Sequence, residues 1–437
     1  MSRLLTRWFR LSENDTSVAT EVRAGTVTFL TMSYILFVNP QILSATGMPA
    51  EDVASATALA SAAATLLMGL VARYPFALAP GMGLNAYFTF GVVQGMGVAW
   101  PAALAAVFIE GILFLLLAVS GFRAALMRAL PKAIKIATMA GIGLFLATIG
   151  LANAGIVVDH PSTLVTLGDL GSPAVLLALG GFVLMAALYA AGFRGAILAG
   201  ILATTVIAWQ TGLSPAPERI ITAPRLPTET LLALDFSDLL TGKLLVVVLA
   251  FLFVDIFDTA GTLIGVGRLG GFLDSNEELP RANRAFAADA VGTTLGAALG
   301  TSTVTSYVES ATGIEEGGRT GLTSVVVGLL FLLSLFFTPV FVAVPALATA
   351  PALILVGAIM MGSSRDIEWS RVDEAIPAFL TIALMPLTYS IANGISFGIM
   401  SFVALRLVRG RVRELNPLLL ILALLLAAFY ALRPGGG

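Results

Sequence analysis

The sequence predicts an all-α polytopic membrane protein made of two inverted seven-segment repeats, with short β-strands where segments 3 and 10 are broken. Composition, recurring apolar runs and a repeated pattern in the two halves lead to this prediction. Only 11% of the 437 residues are charged and 58% are hydrophobic, whereas soluble domains carry about 25% charged residues. The mean hydropathy of +0.95 therefore indicates a chain that faces lipid.

Apolar runs long enough to cross about 30 Å of hydrocarbon as helices recur from end to end. We predict fifteen segments, at residues 24–43, 53–73, 76–96, 101–120, 133–153, 172–190, 194–211, 243–267, 284–300, 302–316, 319–338, 345–363, 374–390, 392–409 and 415–432. Segments 3 and 10 are the weakest by hydropathy, and the fifteenth exceeds two repeats of seven.

Positive charge in the loops supports this count, because Lys and Arg favour the cytoplasmic side. The exits after the even-numbered segments carry, in order, Arg73, Arg123 with Arg128, Arg194, Arg268, Arg319, Arg365 and Arg406. The loops on the opposite side carry few Lys or Arg residues. The exception is 212–242, which is long enough for the preference of positive charge for the cytoplasmic side to weaken. We therefore predict a cytoplasmic N-terminus, and a fifteenth spanning segment would place the C-terminus outside.

The two halves of the chain resemble each other. Residues 62–69 resemble residues 290–297 at an offset of 228, and residues 195–200 resemble residues 394–399. Seven segments separate the matching pieces, so the halves have opposite orientations. Inverted repeats are typical of secondary transporters.

Segments 3 and 10 do not read as unbroken helices. Residues 74–88 contain Pro75, Pro80 and two glycines, which interrupt a helix, and residues 300–313 begin with a Ser/Thr/Val/Tyr stretch that favours extended chain. We predict a short extended piece followed by a half-helix in each. The extended pieces must be buried and could pair with each other, and the half-helix N-termini would offer N–H groups to a polar ligand.

Five acids fall within the predicted segments: Glu110, Asp255, Asp258, Asp289 and Glu309. Acids inside a membrane are functional candidates by default. No Lys or Arg lies inside these segments, so we expect a proton, a cation or a neutral ligand rich in N–H groups. For Glu110 and Asp289 an inter-helix hydrogen bond explains the acid as well. Asp255 and Asp258 are three residues apart and are expected to share a helix face.

Other classes of function find little support. The chain has no cysteine, which excludes disulfides and thiolate metal sites. Its single histidine, His160, lies in a loop, and we predict no metal site. A net charge of −2 gives no basic surface for nucleic acid. A membrane enzyme would have only the pair Asp255 and Asp258 to work with. We predict no enzyme activity and expect no cleavable signal peptide before the first segment.

Several motifs, in order, resemble one transporter family. They are residues 25–34, 38–40, 79–86 (APGMGLNA), 257–263 (FDTAGTL), 300–303, 309–310, 317–321 and 385–392. Together they resemble the nucleobase–cation symporter-2 family, in its AzgA-like purine branch, over nearly the whole chain.

This resemblance implies fourteen segments, with a core domain at 1–121 and 243–340 and a gate domain at 122–242 and 341–437. It implies a homodimer in the inner (plasma) membrane that moves core against gate. The implied substrate is adenine, guanine or hypoxanthine, with a proton as coupling ion and no other cofactor. An anion exchanger or channel of the same architecture is the alternative, and the intramembrane acids argue against it.

The resemblance also implies site residues. In the related uracil and xanthine branches, acids of segments 8 and 10 hold the base, and these positions match Asp258 and Glu309; Asn85 matches a polar position of segment 3. The full predicted substrate site is Asn85, Ala86, Asp258, Thr262, Tyr307 and Glu309, with Asp255, Asp258 and Glu309 coupling the proton. Two departures stand out: Asp258 replaces a glutamate, and Thr262 stands where some relatives carry a histidine. Candidate stacking rings are Tyr87, Phe88, Phe257 and Tyr307.

Overall fold

The computed structural model describes residues 6–120, 131–237, 242–274 and 278–432. The helices described are α1 (Val18–Met32), α2 (Ile35–Ser44), α3 (Ala50–Leu67), α4 (Met82–Ala86), α5 (Trp100–Ser120), α6 (Lys132–Asn153), α7 (Pro173–Ala190), α8 (Ala196–Gln210), α9 (Gly242–Leu269), α10 (Ala282–Leu299), α11 (Ser310–Glu315), α12 (Gly321–Ser334), α13 (Thr338–Ala343), α14 (Ala346–Met361), α15 (Val372–Leu387), α16 (Ile391–Val408) and α17 (Pro417–Leu432). Wider π-type turns extend α3 over Met68–Ala72 and α4 over Tyr87–Gly95, and 3-10 turns occupy Leu11–Asn14, Leu335–Phe337, Gly362–Asp366 and Val412–Glu414. The strands are β1 (Leu78–Pro80), β2 (Val157–His160), β3 (Leu164–Leu167) and β4 (Val304–Ser306).

The predicted membrane class is confirmed. Within the described ranges, nine helices are long and apolar enough to cross a membrane. They are Val18–Ser44 (α1 with α2), Ala50–Ala72, Trp100–Ser120, Lys132–Asn153, Pro173–Ala190, Leu244–Leu269, Gly321–Ala343, Ala346–Asp366 and Ile391–Val408. The remaining predicted segments correspond to α8, α10, α15, α17 and the two broken segments. The chain is thus a multi-pass membrane protein.

The strands predicted in segments 3 and 10 are present and pair with each other. β1 and β4 are antiparallel, and Leu78 lies opposite Ser306, 228 residues further on. A Cβ atom on Gly292 would lie 2.6 Å from the Cβ of Ala64, another pair separated by 228 residues. In both pairs, a residue of the first repeat contacts the equivalent residue of the second repeat, as expected next to a pseudo-two-fold axis that relates the repeats. This geometry is that of inverted repeats.

A second antiparallel pair, β2 with β3, was not predicted. It forms an exposed hairpin in which Val157 pairs with Leu167. The sequence predicts only a loop at this place. The Nδ1 atom of His160 lies 3.3 Å from the backbone N–H groups of Ser162 and Thr163 and accepts from them. The single histidine therefore holds a turn of this hairpin.

The chain divides into two compact units. One comprises residues 1–120 and 149–355, and the other comprises 121–148 and 356–437. The first unit holds both broken segments, all five intramembrane acids, and also α7 and α8. The core and gate boundaries implied by the resemblance differ from this division and stay a prediction about movement. Arg123 and Arg128, counted in the loop charges, lie outside the described residues.

In the second unit, four arginines surround one buried acid, Asp373. The carboxyl group of Asp373 lies 3.0 Å from Arg409 and Arg411, 3.3 Å from Arg406 and 3.6 Å from Arg371. The charges at this end of α15 and α16 thus compensate each other.

The fifteenth segment, α17, packs against α16. The Tyr430 hydroxyl donates to Oδ1 of Asn393 at 2.6 Å, and its ring lies 5.2 Å from that of Phe397. Asn393 lies in the first turn of α16, whereas α17 starts shortly after α16 ends, so α17 runs back along the whole of α16. It therefore covers the same depth as a spanning helix, and an external C-terminus stays a prediction.

In the first unit, Glu21 of α1 caps the start of α12 from a distance. Its fully buried carboxylate accepts from the backbone N–H groups of Arg319 at 2.9 Å, Thr320 at 3.3 Å and Thr323 at 3.1 Å, and from the Thr323 hydroxyl at 2.7 Å. An anion at a helix N-terminus is favourable because the first N–H groups have no partner within the helix.

We expect Glu21→Gln to destabilise the protein by about 1–3 kcal/mol, because the amide leaves a buried N–H group of α12 without an acceptor. The melting temperature of the purified protein in detergent measures this loss. Glu13→Gln is the control, since the Glu13 side chain is 67% exposed. Equal melting temperatures for the two variants would contradict the capping role.

Candidate functional site

Two half-helices begin at the point where β1 and β4 pair. α4 follows β1 after Gly81, and α11 follows β4 after Glu309. The pairing continues past the strands, because the Gly81 N–H donates to the Thr303 carbonyl at 3.0 Å and the Tyr307 N–H donates to the Ala77 carbonyl at 2.9 Å. The extended backbone is thus satisfied inside the protein, and both helix N-termini are directed to the same region of the first unit.

Glu309 occupies the N-cap position of α11 and is partly exposed. The Tyr34 hydroxyl donates to its Oε1 atom at 2.5 Å. Tyr34 lies in the break between α1 and α2. Further along, Pro40 inside α2 has no N–H group to donate to the Leu36 carbonyl. Glu309 is therefore held by one donor, and its other oxygen can accept from a ligand.

Asn85 lies in α4 and is fully buried. The Ser302 hydroxyl donates to its Oδ1 atom. The Nδ2 atom of Asn85 has no partner among the described residues. A buried amide with unpaired N–H groups can donate to an acceptor of a ligand. Its neighbour Ala86 is fully buried in the same helix, and its contact with a ligand stays a prediction.

Asp258 lies on α9 and is partly exposed. The Thr305 hydroxyl of β4 donates to its Oδ2 atom at 3.1 Å. Its carboxyl group lies close enough to Glu309 and to Tyr307 for direct electrostatic interaction. The structure thus brings together the two acids predicted to hold the substrate. Thr262, one turn further along α9, is also partly exposed.

The predicted aromatic surfaces have other partners. The Tyr307 hydroxyl donates to the Pro80 carbonyl at 2.6 Å and so links the segment between β4 and α11 to the end of β1. The Tyr87 ring lies 5.1 Å from the ring of Phe251, and the Phe257 ring stacks on Phe253. Phe88 is fully buried. The Tyr87 contact joins the extension of α4 to α9, and a role of these rings in stacking on a ligand stays a prediction.

Asp255 contacts a different set of groups from Asp258. It is fully buried, and the Thr293 hydroxyl of α10 lies 3.4 Å from its Oδ2 atom. Its other neighbour is Glu110 of α5, whose carboxyl group is also fully buried. The two aspartates are three residues apart on α9, and it is the charge of Asp258 that acts on Glu309.

Asp289, on α10, makes hydrogen bonds to other segments, as in the inter-helix interpretation given for it from the sequence. Its Oδ2 atom accepts from the Thr259 hydroxyl at 2.7 Å and from the Ser306 hydroxyl at 3.1 Å. It is fully buried. Asp289 thus connects α10 to α9 and to β4.

Sequence reasoning missed Tyr34, Ser302, Thr259 and Thr305. These side chains bond to predicted site residues or to Asp289. One feature of the sequence could have indicated Tyr34: it is a hydroxyl-bearing residue in an apolar segment that also contains a proline. The hydroxyl groups carried none, because Ser and Thr are common in membrane helices. Among the described residues, no group of three or more His, Cys, Asp or Glu side chains could hold a metal ion.

Comparison with known proteins identifies the family. The model of the Permease family (Xan_ur_permease) matches residues 19–397. A putative permease of Methanocaldococcus jannaschii, MJ0326, is 52% identical over 97% of this chain and 98% of its own length. The guanine/hypoxanthine permease PbuO of Bacillus subtilis is 44% identical over 95% of this chain and 98% of its own length. The adenine permease AdeP of Escherichia coli is 42% identical over 97% of this chain and 95% of its own length.

A solved structure shares the fold. The transmembrane domain of the cyanobacterial bicarbonate transporter BicA matches with a TM-score of 0.66 over 86% of this chain and 97% of that chain. Its sequence is only 16% identical, so the likeness concerns architecture alone.

Proposed function

The chain belongs to the Permease family, and on that premise we propose that it transports purine nucleobases, with adenine, guanine and hypoxanthine as the substrate class. Support comes from relatives that match nearly the full chain and are named for these bases. The transporter is not an enzyme, as is general for permeases.

The observation that carries the proposal is the position of Glu309. Its carboxylate lies at the N-terminus of a half-helix, is partly exposed, and has one oxygen bonded to Tyr34. Purines present ring N–H groups, and adenine and guanine also carry an exocyclic amino group. Charge-assisted hydrogen bonds from such donors to a carboxylate are strong. Asn85 supplies the complementary donor through Nδ2, which suits a purine ring nitrogen.

The proposed energy source is proton symport. Asp258 is partly exposed, near Glu309, and has one hydroxyl donor, so it can take up and release a proton beside the bound base. Asp255 belongs to the same proposal as a deeper proton-holding group. No other cofactor is required.

We also propose the movement and the cellular setting. The predicted core (1–121 and 243–340) would move against the predicted gate (122–242 and 341–437) and carry the base with it. The protein would act as a homodimer in the inner (plasma) membrane, with its N-terminus in the cytoplasm.

We expect reconstituted vesicles to accumulate one or more of radiolabelled adenine, guanine and hypoxanthine. Accumulation should be fastest when the proton gradient is directed inward, because the symported proton then supplies the driving force. If uptake instead follows a sodium gradient, the coupling ion is sodium and not the proton, and purine nucleobases remain the substrate class. Bicarbonate or chloride flux without any purine uptake would overturn the proposal in favour of an anion exchanger.

A further inference from the structure

Two hydroxyl groups connect Asp258 to Asp289. The Oδ2 atom of Asp258 lies 3.1 Å from Oγ1 of Thr305, which lies 3.1 Å from Oγ1 of Thr259, which lies 2.7 Å from Oδ2 of Asp289. All three separations are hydrogen-bond distances. The four oxygens therefore form one continuous line from a partly exposed acid to a fully buried one.

This line needs one more hydrogen than its hydroxyl groups hold. Each threonine hydroxyl carries a single hydrogen, so Thr259 and Thr305 fill two of the three contacts. With both carboxyl groups ionised, one contact would bring two oxygens together with no hydrogen between them. A proton on Oδ2 of either aspartate completes the line.

The surroundings of Asp289 favour such a proton. Its Oδ1 atom is buried and has no hydrogen-bond partner within the described part of the chain. The charged groups facing it are other acids, with Asp255 and Asp258 on α9 and Glu110 on α5. A buried carboxylate among acids is costly, and sharing a proton lowers that cost.

We propose that Thr305 and Thr259 form a proton relay between Asp258 and Asp289, and that the two acids share one proton. In one direction, Asp289 passes its proton to Thr259, Thr259 passes its own to Thr305, and Thr305 passes its own to Asp258. Each oxygen gives up one O–H bond as it gains another, so the net result is one proton moved from Asp289 to Asp258. The reverse sequence returns it.

This inference rests on the proposed proton symport and assigns its proton a second position. Asp289 holds the proton away from the base, and Asp258 holds it beside Glu309. A base can therefore bind or leave while the proton stays within the protein. Without the relay, base movement would continue but would no longer be coupled to the proton gradient.

Thr259→Val tests the relay, because valine keeps the shape of threonine and removes the hydroxyl. In vesicles, we expect exchange of internal for external labelled purine to stay within about twofold of wild type. Accumulation driven by the proton gradient should fall by roughly 100-fold, in line with the loss of a positioned proton-transfer group. Thr259→Ser, which restores a hydroxyl, should recover coupled accumulation.

Thr294→Val is the matched control. Thr294 lies on the same helix as Asp289, but its hydroxyl donates to the Ala290 carbonyl of that helix at 2.9 Å. Its removal should leave both activities at wild-type level. Coupled accumulation by Thr259→Val at the level of Thr294→Val would overturn the relay.

A second measurement separates this inference from the proposed function. Infrared difference spectra across a pH titration should show a protonated-carboxyl band that Asp289→Asn removes and Thr259→Val shifts. The absence of that band from the wild-type protein would overturn the relay even if purines are transported. A wild-type protein that takes up no purine would overturn the proposed function, and the spectra would still decide the shared proton.

Discussion

Glu309→Gln is expected to lose purine uptake by roughly 100-fold while the protein remains folded in the membrane. The change replaces a carboxylate with an amide of the same shape. One oxygen can still accept from Tyr34, but the other position becomes an N–H donor that faces the N–H edge of the base. Loss of the charge-assisted bond at that oxygen, with a donor of the base left unpaired, costs about 3 kcal/mol, which corresponds to about a 100-fold loss of affinity.

The measurement is radiolabelled purine uptake per molecule of protein, with the amount in the membrane determined for each variant. Glu315→Gln is the matched control, since Glu315 ends the same short helix and its side chain is 50% exposed. It should transport at close to the wild-type rate. Wild-type uptake by Glu309→Gln would remove Glu309 from the binding site and with it the main support for the substrate class.

The architecture was predictable from sequence because its signals are local. Apolar runs indicate spanning helices wherever they occur, and the prolines and glycines around Pro80 interrupt a helix whatever surrounds it. The 228-residue offset then placed the two broken segments in equivalent positions. The pairing of Leu78 with Ser306 follows directly from that symmetry.

The contacts that complete the site were not predictable in the same way. Tyr34 reaches Glu309 across 275 residues, and Thr305 reaches Asp258 across 47. A hydroxyl in a membrane helix can bond to its own backbone, as Thr294 does to Ala290, or to another helix, as Thr259 does to Asp289. Composition does not distinguish the two, because only the folded arrangement decides which acceptor is within reach.

The hairpin of β2 and β3 shows another limit. Its strands have four residues each and are largely exposed, so they show no pattern of one buried and one exposed face. Hydropathy identifies the loop that contains them but not their pairing. The register is instead set by the turn that His160 stabilises through the backbone N–H groups of Ser162 and Thr163.

The first unit depends on a close approach of backbone to backbone at the start of α12. A Cβ atom on Gly321 would collide with the carbonyl oxygen of Gly69 and lie 3.0 Å from the Cα atom of Arg73, and a Cβ atom on Gly69 would lie 2.5 Å from the Gly321 carbonyl oxygen. Backbone atoms cannot move aside by rotating a side chain. Any larger residue at Gly321 must therefore push the two segments apart.

We expect Gly321→Ala to destabilise the protein by about 3 kcal/mol, at the upper end of the usual cost of overpacking. For a chain of 437 residues, with an unfolding entropy of about 2.1 cal/mol/K per residue, that corresponds to a fall in melting temperature of roughly 3 °C, measured on purified protein in detergent. Gly265→Ala is the matched control, because a Cβ atom on Gly265 of α9 would meet nothing within 4 Å. The same substitution should leave that variant at or slightly above the wild-type melting temperature, since alanine favours a helix more than glycine does. If Gly321→Ala and Gly265→Ala have the same melting temperature, the start of α12 can shift without loss of stability. The close contact between Gly69 and Gly321 would then not stabilise the unit that holds the site.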